Sequence, residues 1–145
     1  MADPEHLAQI KRGVESWNHW RKQHPALLPD LSQLNLSGAR LRQANLRGVN
    51  LYRANRSSAD LECADLSFAN LYEANLTNAN LNLASLNNSN VKRATFGWAK
   101  VKGMELSEAS PVGPGSRHIN GEEGLRGATA LIAVVLAGVI LWLLA

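Results

Sequence analysis

Cysteine is nearly missing: Cys63 stands alone in 145 residues. An intramolecular disulfide is therefore impossible, and a thiolate zinc site lacks ligands. Aromatic residues make up only 6% of the chain, too few for an aromatic-rich core. The four histidines, His6, His19, His24 and His118, show no metal-ligand spacing with the cysteine or with one another. There is no glycine-rich phosphate loop and no nucleophile motif. Asp60, Glu62 and Asp65 lie close together but fall on an exposed, repetitive surface, where no cleft can gather them. A balance of 15 basic against 12 acidic residues gives a net charge of +3 and excludes a polyanionic surface. These absences point away from an enzyme; no cofactor, metal or small-molecule substrate is expected.

What is present begins with one long apolar run. Residues 128–145 read ATALIAVVLAGVILWLLA, with no charge and Thr129 as the single polar side chain. As a helix they span roughly 27 Å, close to the ~30 Å hydrocarbon core of a bilayer. A single-pass, C-terminal transmembrane anchor is expected, with membrane lipid as a partner. Arg126 and the more distant Arg117 favour keeping the preceding region on the cytoplasmic side. The sequence does not distinguish a plasma membrane from a thylakoid. Ala130, Ala133, Ala137 and Gly138 could form a small-residue face for helix packing.

From 29 to 108 the chain has a period of five. Of sixteen central positions (31, 36, 41 and onward), twelve are Leu, and Val91, Phe96 and Val101 are also apolar; Arg56 is the one break. Two residues earlier, eleven of sixteen are Ala, and between these positions eight are Asn and three are Asp. Ala44-Asn45-Leu46, Ala64-Asp65-Leu66 and Ala79-Asn80-Leu81 carry the pattern. Neither 3.6 nor 2 divides a period of five, so an amphipathic helix and a flat strand both fail. Internal repetition is the stronger signal. A solenoid with several short sides per coil buries one Leu and one Ala per side by stacking coils.

The segment resembles the pentapeptide-repeat family over 80 residues. The resemblance implies an all-β solenoid, a right-handed quadrilateral β-helix with four pentapeptides per coil. Sixteen units then make about four coils, 29–48, 49–68, 69–88 and 89–108, stacked to about 20 Å at the spacing of neighbouring strands. Residues twenty apart should share a face. Tyr52 then sits over Tyr72, Arg53, Glu73 and Arg93 alternate in sign, and Arg40 and Arg42 lie over Asp60 and Glu62.

The expected organisation is an amphipathic capping helix and lead-in over 1–28, the solenoid over 29–108, a Gly- and Pro-rich flexible linker over 109–127, and the anchor over 128–145. Asp3-Pro4 reads as a helix start. Leu7, Ile10, Val14, Trp17 and Trp20 then follow at helical spacing until Pro25. The competing reading of that helix takes Trp17 and Trp20 as anchors for a partner. Further candidates for protein contact are Tyr52, Tyr72 and the acid-free cluster Arg40, Arg42, Arg47, Arg53 and Arg56. Arg56 stands at an inward position, where an unpaired charge is costly to bury; either the local coil bulges or the guanidinium escapes to solvent. Lys92, Arg93, Lys100 and Lys102 on the degenerate last coil are candidates for a membrane surface, while Phe96 and Trp98 could close the open end.

The reading that unites these features is a non-catalytic, membrane-anchored scaffold or accessory subunit docking on a larger membrane protein complex. One alternative comes from family members that inhibit or protect a nucleic-acid enzyme. It fits poorly, because nine positive and seven negative residues on four coils do not imitate an acidic rod; nucleic acid is not the expected partner. A second alternative is an anionic-ligand module using the Arg-rich early coils.

Overall fold

The computed structural model describes residues 1–106. The expected linker and transmembrane segment, with Ala130, Ala133, Ala137 and Gly138, lie outside them. Among the described residues no helix is long and apolar enough to cross a membrane.

Each pentapeptide makes one short side and one corner. The corner is a β-turn: the Ala that opens the next unit donates its N–H to the preceding central carbonyl, as in Ala54 to Leu51 at 3.0 Å and Ala74 to Leu71 at 2.9 Å. The residue two after the centre takes a positive φ, between 53° and 68° in the range from Gln33 to Gly103. Only Gly38, Gly48 and Gly103 meet this demand at no steric cost; Arg53, Phe68, Leu83 and Trp98 adopt it as well. A left-handed residue costs roughly 1–2 kcal/mol in isolation, so something outside the pentapeptide must hold the corners.

That support comes from the next coil. Parallel bridges join residues twenty apart, Asp30 to Asn50, Asn35 to Asn55, Arg40 to Asp60 and Asn45 to Asp65, and the series continues to Ser85 with Glu105. Four bridges per twenty residues define four faces: Leu31, Leu51 and Leu71 centre face 1, Leu36, Arg56 and Leu76 face 2, Leu41, Leu61 and Leu81 face 3, and Leu46, Leu66 and Leu86 face 4. Each central N–H donates to the coil below, as Leu51 does to Asn70 O at 2.8 Å, and so does the corner residue, as Ser58 does to Thr77 O at 2.8 Å. The Leu columns and the Ala residues beside them are fully or almost fully buried through the middle coils.

The recurrent Asn has two tasks. Its Oδ1 accepts the backbone N–H two residues on, as Asn70 Oδ1 does from Tyr72 at 3.2 Å. Its Nδ2 donates to the residue one coil earlier: Asn50 to Asp30, Asn70 to Asn50 and Asn90 to Asn70, each at 3.1 Å. Asp keeps the first task and loses the second. Two of the three Asp residues stand where the second task has no acceptor to use: Asp30 begins its column and Asp60 lies below Arg40; Asp65, below Asn45, simply goes without it.

The N-terminal region differs from a single helix. It forms α1 (Pro4–Lys11) and α2 (Val14–Gln23). Asp3 caps α1, its Oδ1 accepting from Glu5 N–H at 2.8 Å, with Pro4 in the first turn. The break falls at Gly13, whose φ of 102° is closed to helical backbone. The apolar stripe survives the break, because Ile10 of α1 and Trp17 and Trp20 of α2 are all buried.

Asn70→Ala leaves donors and acceptors unpaired in the middle of an amide ladder. A loss of about 1–3 kcal/mol is expected, read as a lower midpoint in chemical denaturation followed by circular dichroism. Asn35→Ala, at the start of its column and exposed, should cost less.

Candidate interaction faces

The first coil is a strand edge, and α1 and α2 satisfy part of it. Trp17 Nε1 donates to Asn45 O at 2.8 Å. Asn18 Nδ2 donates to Gln43 O at 3.0 Å, and Asn18 Oδ1 accepts from Asn45 N–H at 2.8 Å. Arg21 donates to Leu27 O at 2.6 Å and to Arg47 O at 2.8 Å. His6 Nδ1 accepts from Asp30 N–H at 3.0 Å. Burial holds the Arg21 guanidinium below its ordinary pKa, with Asp65 partly opposing. These contacts lie on faces 4 and 1 and at the corner before face 4. On the other sides of the first coil Leu34, Leu36 and Ala39 remain partly exposed.

This corrects the reading of Trp17 and Trp20 as partner anchors. Trp17 is 0% exposed and Trp20 is 7% exposed. Their ring centres lie 5.3 Å apart with the planes tilted by 34°, and Trp20 also meets His6 and His24. Both indoles are already occupied inside the chain. His6, Asn18 and Arg21 were not singled out in the sequence. Apart from the local bond of Arg21 to Leu27 O, their polar side chains act on strand edges more than twenty residues away.

Face 1 carries the most organised outer surface. Tyr52 and Tyr72 stack with ring centroids 5.8 Å apart and planes inclined by 22°. The Arg53 guanidinium lies 5.0 Å from the Tyr52 ring centre. Arg53 Nε donates to Glu73 Oε2 at 2.5 Å, and Arg93 Nε stands 3.2 Å from Glu73 Oε1. The hydrogen bond from Arg53 holds the Glu73 carboxyl below its usual range, while that bond and the Glu73 charge raise the Arg53 guanidinium. The face therefore presents a stacked aromatic pair beside a basic–acidic–basic ladder. Ser32 and Lys92 flank the tyrosines in the same column.

The Arg-rich cluster does not form a free basic patch. Arg42 pairs with Glu62 at 2.7 Å. Arg47 lies over the Phe68 ring, 4.3 Å from its centre, a pairing missed because the two residues are 21 apart and occupy different positions of their pentapeptides. Arg53 is held by Glu73. Arg40 lies above Asp60 through a backbone bridge, without a side-chain ion pair between them; Asp60 instead accepts from Asn80 Nδ2 at 3.1 Å.

Arg56 is the clearest departure from a partner-facing role. It is 0% exposed and occupies the inward column in place of Leu. The coil does not bulge: Arg56 N–H donates to Asn75 O at 2.8 Å and its carbonyl accepts from Ala59 at 3.0 Å, as at every regular unit. Its Nε and both Nη atoms have no hydrogen-bond partner. Burial alone lowers its pKa to about 9. Cooperative backbone pairing has kept the register and forced a guanidinium into the core.

On the last coil Lys92, Arg93, Lys100 and Lys102 are exposed, as is Trp98 at 55%, while Phe96 fills the inward position at 4%. Phe96 thus substitutes for Leu in the core, and Trp98 stays outside. Among the described residues no group of His, Cys, Asp or Glu could hold a metal ion.

A family model described as pentapeptide repeats matches residues 30–67 and 64–103. The chain belongs to the pentapeptide-repeat family. Members form right-handed β-helix solenoids, and they are generally structural or regulatory proteins without enzymatic activity. No curated protein matches this pentapeptide-repeat chain. Among solved structures it is similar to HetL, a pentapeptide repeat protein involved in heterocyst differentiation regulation from the cyanobacterium Nostoc, with 34% identity over 59% of this chain and 42% of HetL, at a TM-score of 0.32. This pentapeptide-repeat chain thus spans less than half the length of HetL. A second Nostoc pentapeptide repeat protein shares 30% identity over 61% of this chain and 73% of its own, at a TM-score of 0.28. One from the thylakoid lumen of Arabidopsis thaliana shares 33% identity over 56% and 63%, at a TM-score of 0.21.

Arg56→Leu should stabilise the solenoid by about 1–4 kcal/mol, the range found when buried ions give way to apolar residues of similar volume. The gain depends on pH. Below about 9 Arg56 is charged in the folded and unfolded chains alike, and its full burial penalty applies. As pH rises through 9, the folded protein loses that proton before the unfolded chain does, so the native protein gains stability. The difference in unfolding midpoint between Arg56→Leu and the native chain should narrow above pH 9; a difference that widens there would contradict a buried, charged Arg56.

Proposed function

We propose that this pentapeptide-repeat protein is a non-catalytic docking module, tethered to a membrane through residues 128–145, that presents face 1 to a subunit of a membrane protein complex. The observation that carries the reading is the stacked Tyr52–Tyr72 pair beside the Arg53–Glu73–Arg93 ladder. Tyr and Arg are the side chains that most often dominate binding energy, and here their conformations are restrained before any partner arrives. Pre-ordered side chains lose less entropy on docking. The coil beneath fixes their spacing, and both tyrosines stay half-buried, so part of each ring remains available to a partner of mixed apolar and polar character.

The anionic-ligand alternative draws less support. Arg42, Arg47 and Arg53 are engaged by Glu62, Phe68 and Glu73, and Arg56 is buried. Inhibition of a nucleic-acid enzyme has no acidic column to act through, since Glu62 and Glu73 are paired with Arg42, Arg53 and Arg93.

A photoreactive side chain placed at Tyr52 or Tyr72 in the full chain, activated in native membranes, should join it to a defined membrane protein. The same group at Ser57 on face 2 should not. Tyr72→Ala should weaken co-purification of that protein by about 30-fold, the effect of losing ~2 kcal/mol at an aromatic anchor. Absence of any adduct from face 1 would overturn the docking assignment.

A further inference from the structure

The two ends of the solenoid are finished differently. At the first coil, α1 and α2 supply partners for Asp30 and Asn45 N–H and for carbonyls at 27, 30, 43, 45 and 47. At the last coil nothing equivalent occurs among the described residues. In the coil above, Leu71, Leu76 and Leu81 donate their N–H groups downward to Asn90, Thr95 and Lys100, each at 2.8 Å. The matching donors of the last coil, Val91, Phe96 and Val101 with the corner residues Arg93, Trp98 and Gly103, have no acceptor among the described residues. A row of unpaired N–H groups is a ready site for acceptor oxygens.

The rim around these donors has a distinct composition. Lys92, Lys100 and Lys102 are exposed and form no ion pair among the described residues. Arg93 is held by Glu73, and Glu105 accepts from Asn87 Nδ2 at 3.0 Å. Trp98 is 55% exposed, and the end plate contains the half-buried Val101, Met104 and Leu106. Among the described residues, N–H donors without acceptors, lysines without ion pairs, an exposed indole and a small apolar floor meet at the last coil. An indole favours the boundary between headgroups and acyl chains, lysines are attracted by an anionic leaflet, and phosphate oxygens accept from backbone N–H groups.

We propose that this open end rests on an anionic phospholipid surface, with the solenoid axis upright on the bilayer. The proposal builds on the membrane reading above, because the last coil is the part of the solenoid nearest in sequence to residues 128–145. The occupant of the end is lipid headgroup rather than a second copy of the chain: two such ends brought together would oppose their own lysines and would match donors with donors.

The test uses the full chain in vesicles of neutral lipid, or of neutral lipid mixed with an anionic phosphatidylglycerol, in a Cys63→Ala background. A fluorophore is attached through Thr95→Cys on the last coil, or through Asn35→Cys in the same column three coils away, about 14 Å higher at strand spacing. Shallow lipid-borne quenchers should act several-fold more strongly at 95 than at 35 in anionic vesicles. That contrast should disappear in neutral vesicles and in the combined Lys92→Gln, Lys100→Gln, Lys102→Gln chain. Equal quenching at 95 and 35 in chains that resist carbonate extraction overturns end docking and leaves the anchor intact. Quenching at 95 in chains that carbonate strips away supports end docking and removes the anchor. A disulfide forming between two unlabelled Thr95→Cys chains regardless of lipid identifies a second copy as the occupant and overturns the proposal.

Discussion

The structure rests on the coil-to-coil backbone pairing that bridges residues twenty apart. A pentapeptide on its own gains little: one turn, one buried Leu, and a corner residue in a left-handed conformation. Stacking gives each face a bridge to the next coil and covers most inward Leu side chains with another Leu. Because the ladder repeats on four faces, a unit that departs from the pattern is held in register by its neighbours. Phe68, Leu83 and Trp98 at positive φ, and Arg56 in the inward column, are all tolerated for this reason. Local preference yields to the cooperative pairing of backbone groups that would otherwise be buried without partners.

The same constraint explains how the chain treats its ends. A stack of identical coils must stop with one row of unmatched groups above and another below. At the upper end, helices too short to be stable in isolation gain stability by placing His6, Trp17, Asn18 and Arg21 against the first coil. Side chains with polar ends and apolar bodies suit this task, since they cover Leu31 and Leu46 while satisfying backbone donors and acceptors. Among the described residues the lower end leaves its donors without acceptors and gathers lysines. The solenoid is polar along its axis in chemistry as well as in chain direction.

Its sides are equally unlike one another. Amide ladders run up the edges and stiffen the rod, while the two outward positions of each pentapeptide are left to vary. On face 1 these positions hold stacked tyrosines and a charge ladder. On face 3 one arginine–glutamate pair does the same at smaller scale, and on face 4 an arginine covers a phenylalanine. Pairing between coils absorbs most of the arginines that look like a basic cluster along the chain. A surface that is charge-rich in sequence has much of its charge paired once residues twenty apart are neighbours.

The period of five, the inward Leu and Ala, the four-sided coil and the vertical partnership of Tyr52 with Tyr72 and of Arg53 with Glu73 and Arg93 were all legible in the sequence. Each follows from strict repetition, and repetition is a property of sequence. The break at Gly13, the burial of both tryptophans, the contact of Arg47 with Phe68 and the inward course of Arg56 were not legible. Each depends on a competition between local cost and distant gain: an indole between exposure and a strand edge, a guanidinium between water and the register of its coil. The second arm of that competition lies twenty or more residues away, and only the assembled coils bring it within reach.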